Sequence, residues 1–272
     1  MKLIYCFLLA SLTIWSSSSI AQDYNDPIPE HETFTVQSVK VGELRVINVW
    51  MPSEYKISSA SLPVLYMPDG GIKEDFPHIA NTLAELIKAK KIQPFILVGI
   101  ENTQRRRDLT GKTSVEKDKE IAPVVGGSEE FRAFITEELF SEINKRYRTT
   151  NKKGIIGESL AGLFVAETFF LNPNLFDFYI AFDPSLWWND EYLLKSANER
   201  LKLFPMTKKA FWFAGSGNKE LFEETGKLAA IFKAKGLKKL FWEFSPEINE
   251  KHDTIFRATK EKALVWTLNK KL

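Results

Sequence analysis

The feature that most constrains the fold is a recurrence of short apolar runs separated by segments long enough to hold a helix. Pro63 to Met67, Phe95 to Ile100, Gly154 to Ile156, Phe178 to Phe182, Ala210 to Ala214 and Leu240 to Phe244 are runs of this kind. Short apolar runs alternating with helices are the pattern of strands buried on both faces. They predict an α/β fold with a mainly parallel central sheet and helices on both faces. The clearest helices are expected at Phe76 to Ala89, Glu129 to Tyr147, Leu160 to Leu171, Glu220 to Lys235 and Asp253 to Leu268. In the fourth, Leu228, Ile231 and Phe232 share one face at i, i+3, i+4 spacing. Ahead of the parallel part, Thr33 to Val39 and Glu43 to Met51 alternate around Gly42 and predict an antiparallel strand pair.

The chain begins with Met1-Lys2, an apolar stretch from Leu3 to Trp15, and the small-residue site Ser19-Ile20-Ala21. This is the layout of a secretory signal peptide. The apolar stretch is shorter than the roughly 20 residues of a spanning helix. Residues 1–21 are therefore expected to be removed on export, leaving one domain over 22–272 in the periplasm or secreted, with no stable membrane insertion. The single cysteine, Cys6, lies in the leader, so the mature chain has no disulfide or cysteine metal site to offer. A net charge of +2, with basic and acidic residues interspersed, gives no reason to expect a nucleic-acid partner.

Gly157-Glu158-Ser159-Leu160-Ala161-Gly162 carries the chemistry. Gly-x-Ser-x-Gly marks a nucleophile elbow, a sharp strand-to-helix turn with the serine at its tip. Here Ala161 stands for the usual last glycine, and Gly162 follows. Lys153-Gly154-Ile155-Ile156 supplies the strand before it. Serine needs a base, and the histidines are His31, His78 and His252. His252 follows the last strand, where the order Ser, acid, His places the base of an α/β-hydrolase. The acid is best sought after Ala210 to Ala214, in Gly215-Ser216-Gly217-Asn218-Lys219-Glu220, which points to Glu220. Asp183, at the end of the preceding strand, is its rival, with Glu223 and Glu224 behind. The amides of Leu160 and Gly71 are the expected oxyanion donors, Gly71 because Pro68-Asp69-Gly70-Gly71 turns directly after a strand. No His-Glu-x-x-His and no phosphate-type glycine loop occurs, so neither a metal nor a nucleotide cofactor is expected.

Several segments together resemble the putative-esterase branch of the α/β-hydrolases, which includes esterase D-like and siderophore-esterase-like serine hydrolases. They are Tyr66-Met67-Pro68-Asp69-Gly70, the stretch from Asn102 to Thr110, Gly157 to Phe164, and Asp183-Pro184-Ser185-Leu186-Trp187-Trp188. The resemblance runs from about Phe34 to the C-terminus and implies a Ser-His-acid enzyme that hydrolyses a small-molecule carboxylic ester, such as a siderophore ester or a carbohydrate or small acyl ester. Two departures stand out: Asp183-Pro184-Ser185 where the family often has Ser-Pro-Ser, and Glu158 where it has histidine. Trp187 and Trp188 are candidate walls of a substrate pocket. Arg107, among Arg105 to Arg107 in the long charged segment Asn102 to Gly127, is a candidate for attracting an anionic substrate, or else an ion-pair partner of Asp108. A non-catalytic binding protein and an acyltransferase are the alternatives on the same scaffold.

Overall fold

The computed structural model describes residues 26–272; the expected leader and its expected cleavage site lie outside them. The chain runs β1 (Glu32–Gln37), β2 (Leu44–Trp50), α1 (Ser53–Ile57), β3 (Leu62–Pro68), α2 (Phe76–Lys88) and β4 (Ile96–Ile100). Two short helices follow, α3 (Arg105–Asp108) and α4 (Glu116–Lys119). Next come α5 (Ser128–Ala133), a π-helical stretch (Phe134–Leu139) and α6 (Phe140–Arg146). The second half is β5 (Thr149–Glu158), α7 (Leu160–Leu171), β6 (Phe178–Phe182), α8 (Trp188–Arg200), β7 (Lys209–Ser216), α9 (Lys219–Lys235), β8 (Leu240–Glu247) and α10 (Ile255–Leu268).

All eight strands form one sheet in the order β1-β2-β4-β3-β5-β6-β7-β8. β2 pairs antiparallel with β1 and β4, and every pair from β4 across to β8 is parallel. This is the expected mainly parallel sheet with an antiparallel N-terminal pair. Each strand found matches an apolar or alternating run of the sequence. The exceptions to the sequence reading are helical. α8 carries polar residues in no strong periodic pattern, and its first turn contains Asn189, Asp190 and Glu191 at positive φ. Nothing in its composition announced it.

Side chains alternate across the pleat, and the alternation separates two cores. Tyr66, Val98, Ile155, Tyr179 and Phe211 face α5, α7 and α9. Leu65, Met67, Ile156, Ile180 and Trp212 face α2 and α10. α7 is buried from Leu160 through Phe170 on every side, which explains why its sequence is apolar all round rather than striped. Ser159 thus sits at the start of a helix buried on every side, over the middle of the sheet. β8 is the opposite case: it lies at the edge, and its burial alternates.

The charged segment 102–127 is fastened at both ends. Arg45 is fully buried and pairs with Asp108 at 2.6 Å. Asp118 Oδ2 accepts from Thr113 Oγ1 at 2.7 Å and from the Asn189 amide at 2.8 Å. The Trp188 indole donates to the Gly111 carbonyl at 2.8 Å.

Candidate active site

Loops at the carboxyl ends of parallel strands are where open α/β sheets bind ligands, and the chemistry-bearing side chains meet there. β5 ends at Glu158, and Ser159 turns the chain into α7 with φ 59° and ψ −118°. A non-glycine residue there is strained by about 1–3 kcal/mol, and neighbouring groups hold it. Its amide donates to the Phe182 carbonyl at 3.0 Å, and its carbonyl accepts from Leu163 at 2.9 Å and Ser185 at 3.2 Å. Gly157 is required because a Cβ there would lie 2.6 Å from the Ala161 carbonyl carbon. The same crowding explains why the fifth residue of the motif must be small, a demand alanine meets.

Ser159 Oγ lies 3.0 Å from His252 Nε2, and His252 Nδ1 lies 2.9 Å from Asp183 Oδ2. Asp183 is fully buried, and its other carboxylate oxygen accepts the Ser216 amide at 2.7 Å. Its own amide donates to Ala214 at 3.0 Å, and its φ of 42° aims the side chain across the sheet end. The acid joined to the histidine is therefore Asp183 and not Glu220. Glu220 lies exposed in the first turn of α9, where Asn218 caps the helix by accepting its amide at 3.1 Å. Gly215 and Gly217 of the same loop answer packing demands. A Cβ on Gly217 would lie 2.3 Å from the Ile248 carbonyl oxygen in the segment that carries His252.

The other two histidines are elsewhere. His78 is buried in α2 against Phe256, with burial pushing its pKa down to about 3. His31 stacks edge-on against Phe76. At His252 the Asp183 hydrogen bond raises the pKa above the usual imidazole value and outweighs burial, which opposes it; the nearby Glu158 carboxyl adds to the rise. A general base must be neutral to work. kcat/KM for a neutral ester should therefore fall as pH drops, with its acid-side midpoint above the ordinary imidazole value of 6.5. A midpoint below that value in a pH–rate profile would contradict the arrangement.

Leu160 opens α7, so its amide has no carbonyl four residues back within the helix and is free to point at a ligand. The Gly71 amide, the other expected donor, is engaged: it donates to Glu74 Oε2 at 2.7 Å. An oxyanion at that amide would have to displace the carboxylate. Trp187 is partly buried and packs 5.8 Å from Trp188 between ring centroids, while Trp188 is buried with its indole N–H spent on Gly111. Arg107 is held by Glu43 and Asp108, the Asp108 contact being 2.7 Å from Nε. Its neighbour Arg105 instead makes a two-pronged pair with Asp69, both bonds 2.7 Å.

Sequence reasoning left the orientation of Glu158 open. Its Oε1 is 3.9 Å from His252 Nε2. Burial raises its pKa to about 8, with Asp75 and Asp69 adding to the rise and His252 and Arg105 opposing it. Asp75, at the start of α2, is likewise raised by burial to about 7. Its place one residue before Ser159, at the last step of β5, was the available signal.

A strained serine at a strand–helix turn, a histidine after the last strand, and an acid at a strand end on this eight-stranded sheet define the α/β-hydrolase class. The family model for "Putative esterase" matches residues 38–256, and the chain belongs to that family. It is 31% identical over 164 residues to the ferri-bacillibactin esterase BesA of Bacillus subtilis, covering 53% of this chain and 55% of that one. It is 29% identical over 201 residues to the siderophore triacetylfusarinine C esterase of Aspergillus fumigatus, covering 67% and 64%. The chain thus aligns with between half and two thirds of the length of these curated relatives. The crystal structure of an IroE-like serine hydrolase from Shewanella oneidensis superposes with a TM-score of 0.80 at 24% identity, over 87% of this chain and 79% of that one. That likeness is one of fold.

Proposed function

We propose that this protein hydrolyses carboxylic esters through an acyl-enzyme on Ser159, with siderophore-type esters as the substrate class to try first. The observation that carries the reading is the continuous line Ser159 Oγ, His252, Asp183, with contacts of 3.0 and 2.9 Å. His252 Nε2 removes the hydroxyl proton as Oγ attacks the ester carbonyl, and Asp183 holds Nδ1–H and stabilises the imidazolium. The Leu160 amide, with a donor from the Gly71 turn once Glu74 gives way, receives the oxyanion. His252 then passes its proton to the departing alcohol, and water repeats the sequence to free the acid. The substrate class rests on the relatives named ferri-bacillibactin esterase and siderophore triacetylfusarinine C esterase. A panel of ester substrates on the mature protein tests it. Hydrolysis of siderophore esters should exceed that of simple acyl and carbohydrate esters; the reverse order would move the substrate elsewhere.

The same reading includes export. Among the described residues no helix is long and apolar enough to cross a membrane. The expected product is a chain starting at Gln22, recovered outside the cytoplasm. Intact-mass measurement on protein from its native host checks this, and a mass that includes Met1 to Ala21 in a cytoplasmic fraction would overturn it.

A further inference from the structure

Glu158 stands where an α/β-hydrolase has no need of an acid. The triad already has Asp183 on the far side of the imidazole, yet a second carboxyl group lies 3.9 Å from Nε2, the nitrogen that exchanges protons with serine and leaving group. Its side chain is 20% exposed, enough to meet a ligand and too little to be solvated like a surface acid. The charged groups whose fields reach it are His252, Asp75, Arg105 and Asp69. Arg105 is the cation of permanent charge in that set, and Asp69 takes it in two bonds. Glu74, held on the Gly71 amide, adds another acid to the same turn. The mouth of the triad therefore has an excess of carboxyl groups.

The leaving alcohol's oxygen must come within hydrogen-bond distance of Nε2 to be protonated. Substituents on the alcohol half near that oxygen must pass beside Glu158. In a partly buried setting a charge there interacts much more strongly than it would in water.

We propose that Glu158 is a specificity-determining residue, selecting esters whose alcohol half carries a cationic or N–H-donating group close to the scissile oxygen and disfavouring those with a carboxylate there. This rests on the ester-hydrolase reading and deepens it. A neutral Glu158 discriminates weakly, by hydrogen bonding alone. An ionised one attracts a cation outright, so selectivity grows with pH.

The test compares esters of one acid with choline and with 3,3-dimethylbutanol, alcohols of nearly the same shape that differ by a permanent charge. kcat/KM is measured from pH 6.5 to 9 on the mature protein; titration of His252 affects both esters and cancels in their ratio. For the wild type the choline ester should be preferred, and the preference should grow about ten-fold as pH rises through about 8. Glu158→Gln should bring the ratio near one at every pH, and Glu158→Asp should keep part of it. Where neither ester turns over, competitive inhibition of p-nitrophenyl acetate hydrolysis by the pair gives the same ratio. A wild-type ratio near one at all pH values, or a Glu158→Gln protein with the wild-type ratio and rise, overturns the proposal. If Glu158→Gln does not fold, the pH dependence in the wild type decides. Absence of any Ser159-dependent ester hydrolysis would instead remove the ester-hydrolase reading itself.

Discussion

Ser159→Ala should lower kcat/KM by about 10⁴-fold or more and leave the melting temperature nearly unchanged. Loss of one member of a Ser-His-acid unit disables the whole, because the base then has no hydroxyl to activate and the acid no imidazolium to stabilise. Folding should tolerate the change. The contacts that hold the elbow belong to the backbone: Ser159 N–H on Phe182, and its carbonyl on Leu163 and Ser185. Labelling by a fluorophosphonate probe should vanish in parallel. A folded Ser159→Ala protein that still turns over esters, or still takes the probe, would remove Ser159 from the mechanism and favour the alternative of a binding protein on a hydrolase scaffold.

The second large effect is expected at the acid. Asp183→Asn should reduce kcat on the order of 10⁴-fold, while Glu220→Gln, whose exposed side chain takes no part in the Ser159–His252–Asp183 line, should stay within about two-fold of wild type. Both carboxylate oxygens of Asp183 accept, one from the Ser216 amide and one from His252 Nδ1. An asparagine has a single acceptor oxygen. If that oxygen stays on Ser216, the NH₂ faces the imidazole and forces the proton onto Nε2, leaving no lone pair for the serine. If it turns to His252, the Ser216 amide meets an NH₂ group in a buried place. Normal kcat in Asp183→Asn, with a crippled Glu220→Gln, would reinstate the acid first expected from the sequence.

The way the sequence misled on that acid is instructive. All eight strands were legible, because burial on both faces writes itself as an apolar run in the interior strands, the N-terminal pair writes itself as alternation, and the edge strand β8 keeps a mostly apolar start, Leu240-Phe241-Trp242. The elbow and His252 were legible because few residues could take their places. The acid was not. Each loop at the carboxyl ends of β6 and β7 holds a carboxylate, and the choice between them depends on a backbone angle, φ 42° at Asp183, that no neighbouring residue type announces. Pro184 after it reads as a turn, whereas the turn is what aims the acid. Arg107 shows a similar limit: a basic triplet reads as one patch, but successive side chains separate, Arg105 to Asp69 and Arg107 to Glu43 and Asp108. Trp188, counted with Trp187 as a wall, has its polar end committed to fastening the long segment at Gly111.

The three residues of the proposed triad are unequally rooted. Ser159 and Asp183 hang from adjacent interior strands, β5 and β6, and are stitched together through Phe182, whose carbonyl receives the Ser159 amide one residue before Asp183. They behave as one rigid piece of the sheet's centre. His252 comes from beyond β8, the rim strand, on a segment held by the Gly217 amide at Glu250 and by Thr254. Local opening starts at rims and spares centres. His252 is therefore the loosely anchored part of the arrangement and Ser159 with Asp183 the firm one, so on the proposed mechanism loosening at the margin would switch the chemistry off long before the core gives way.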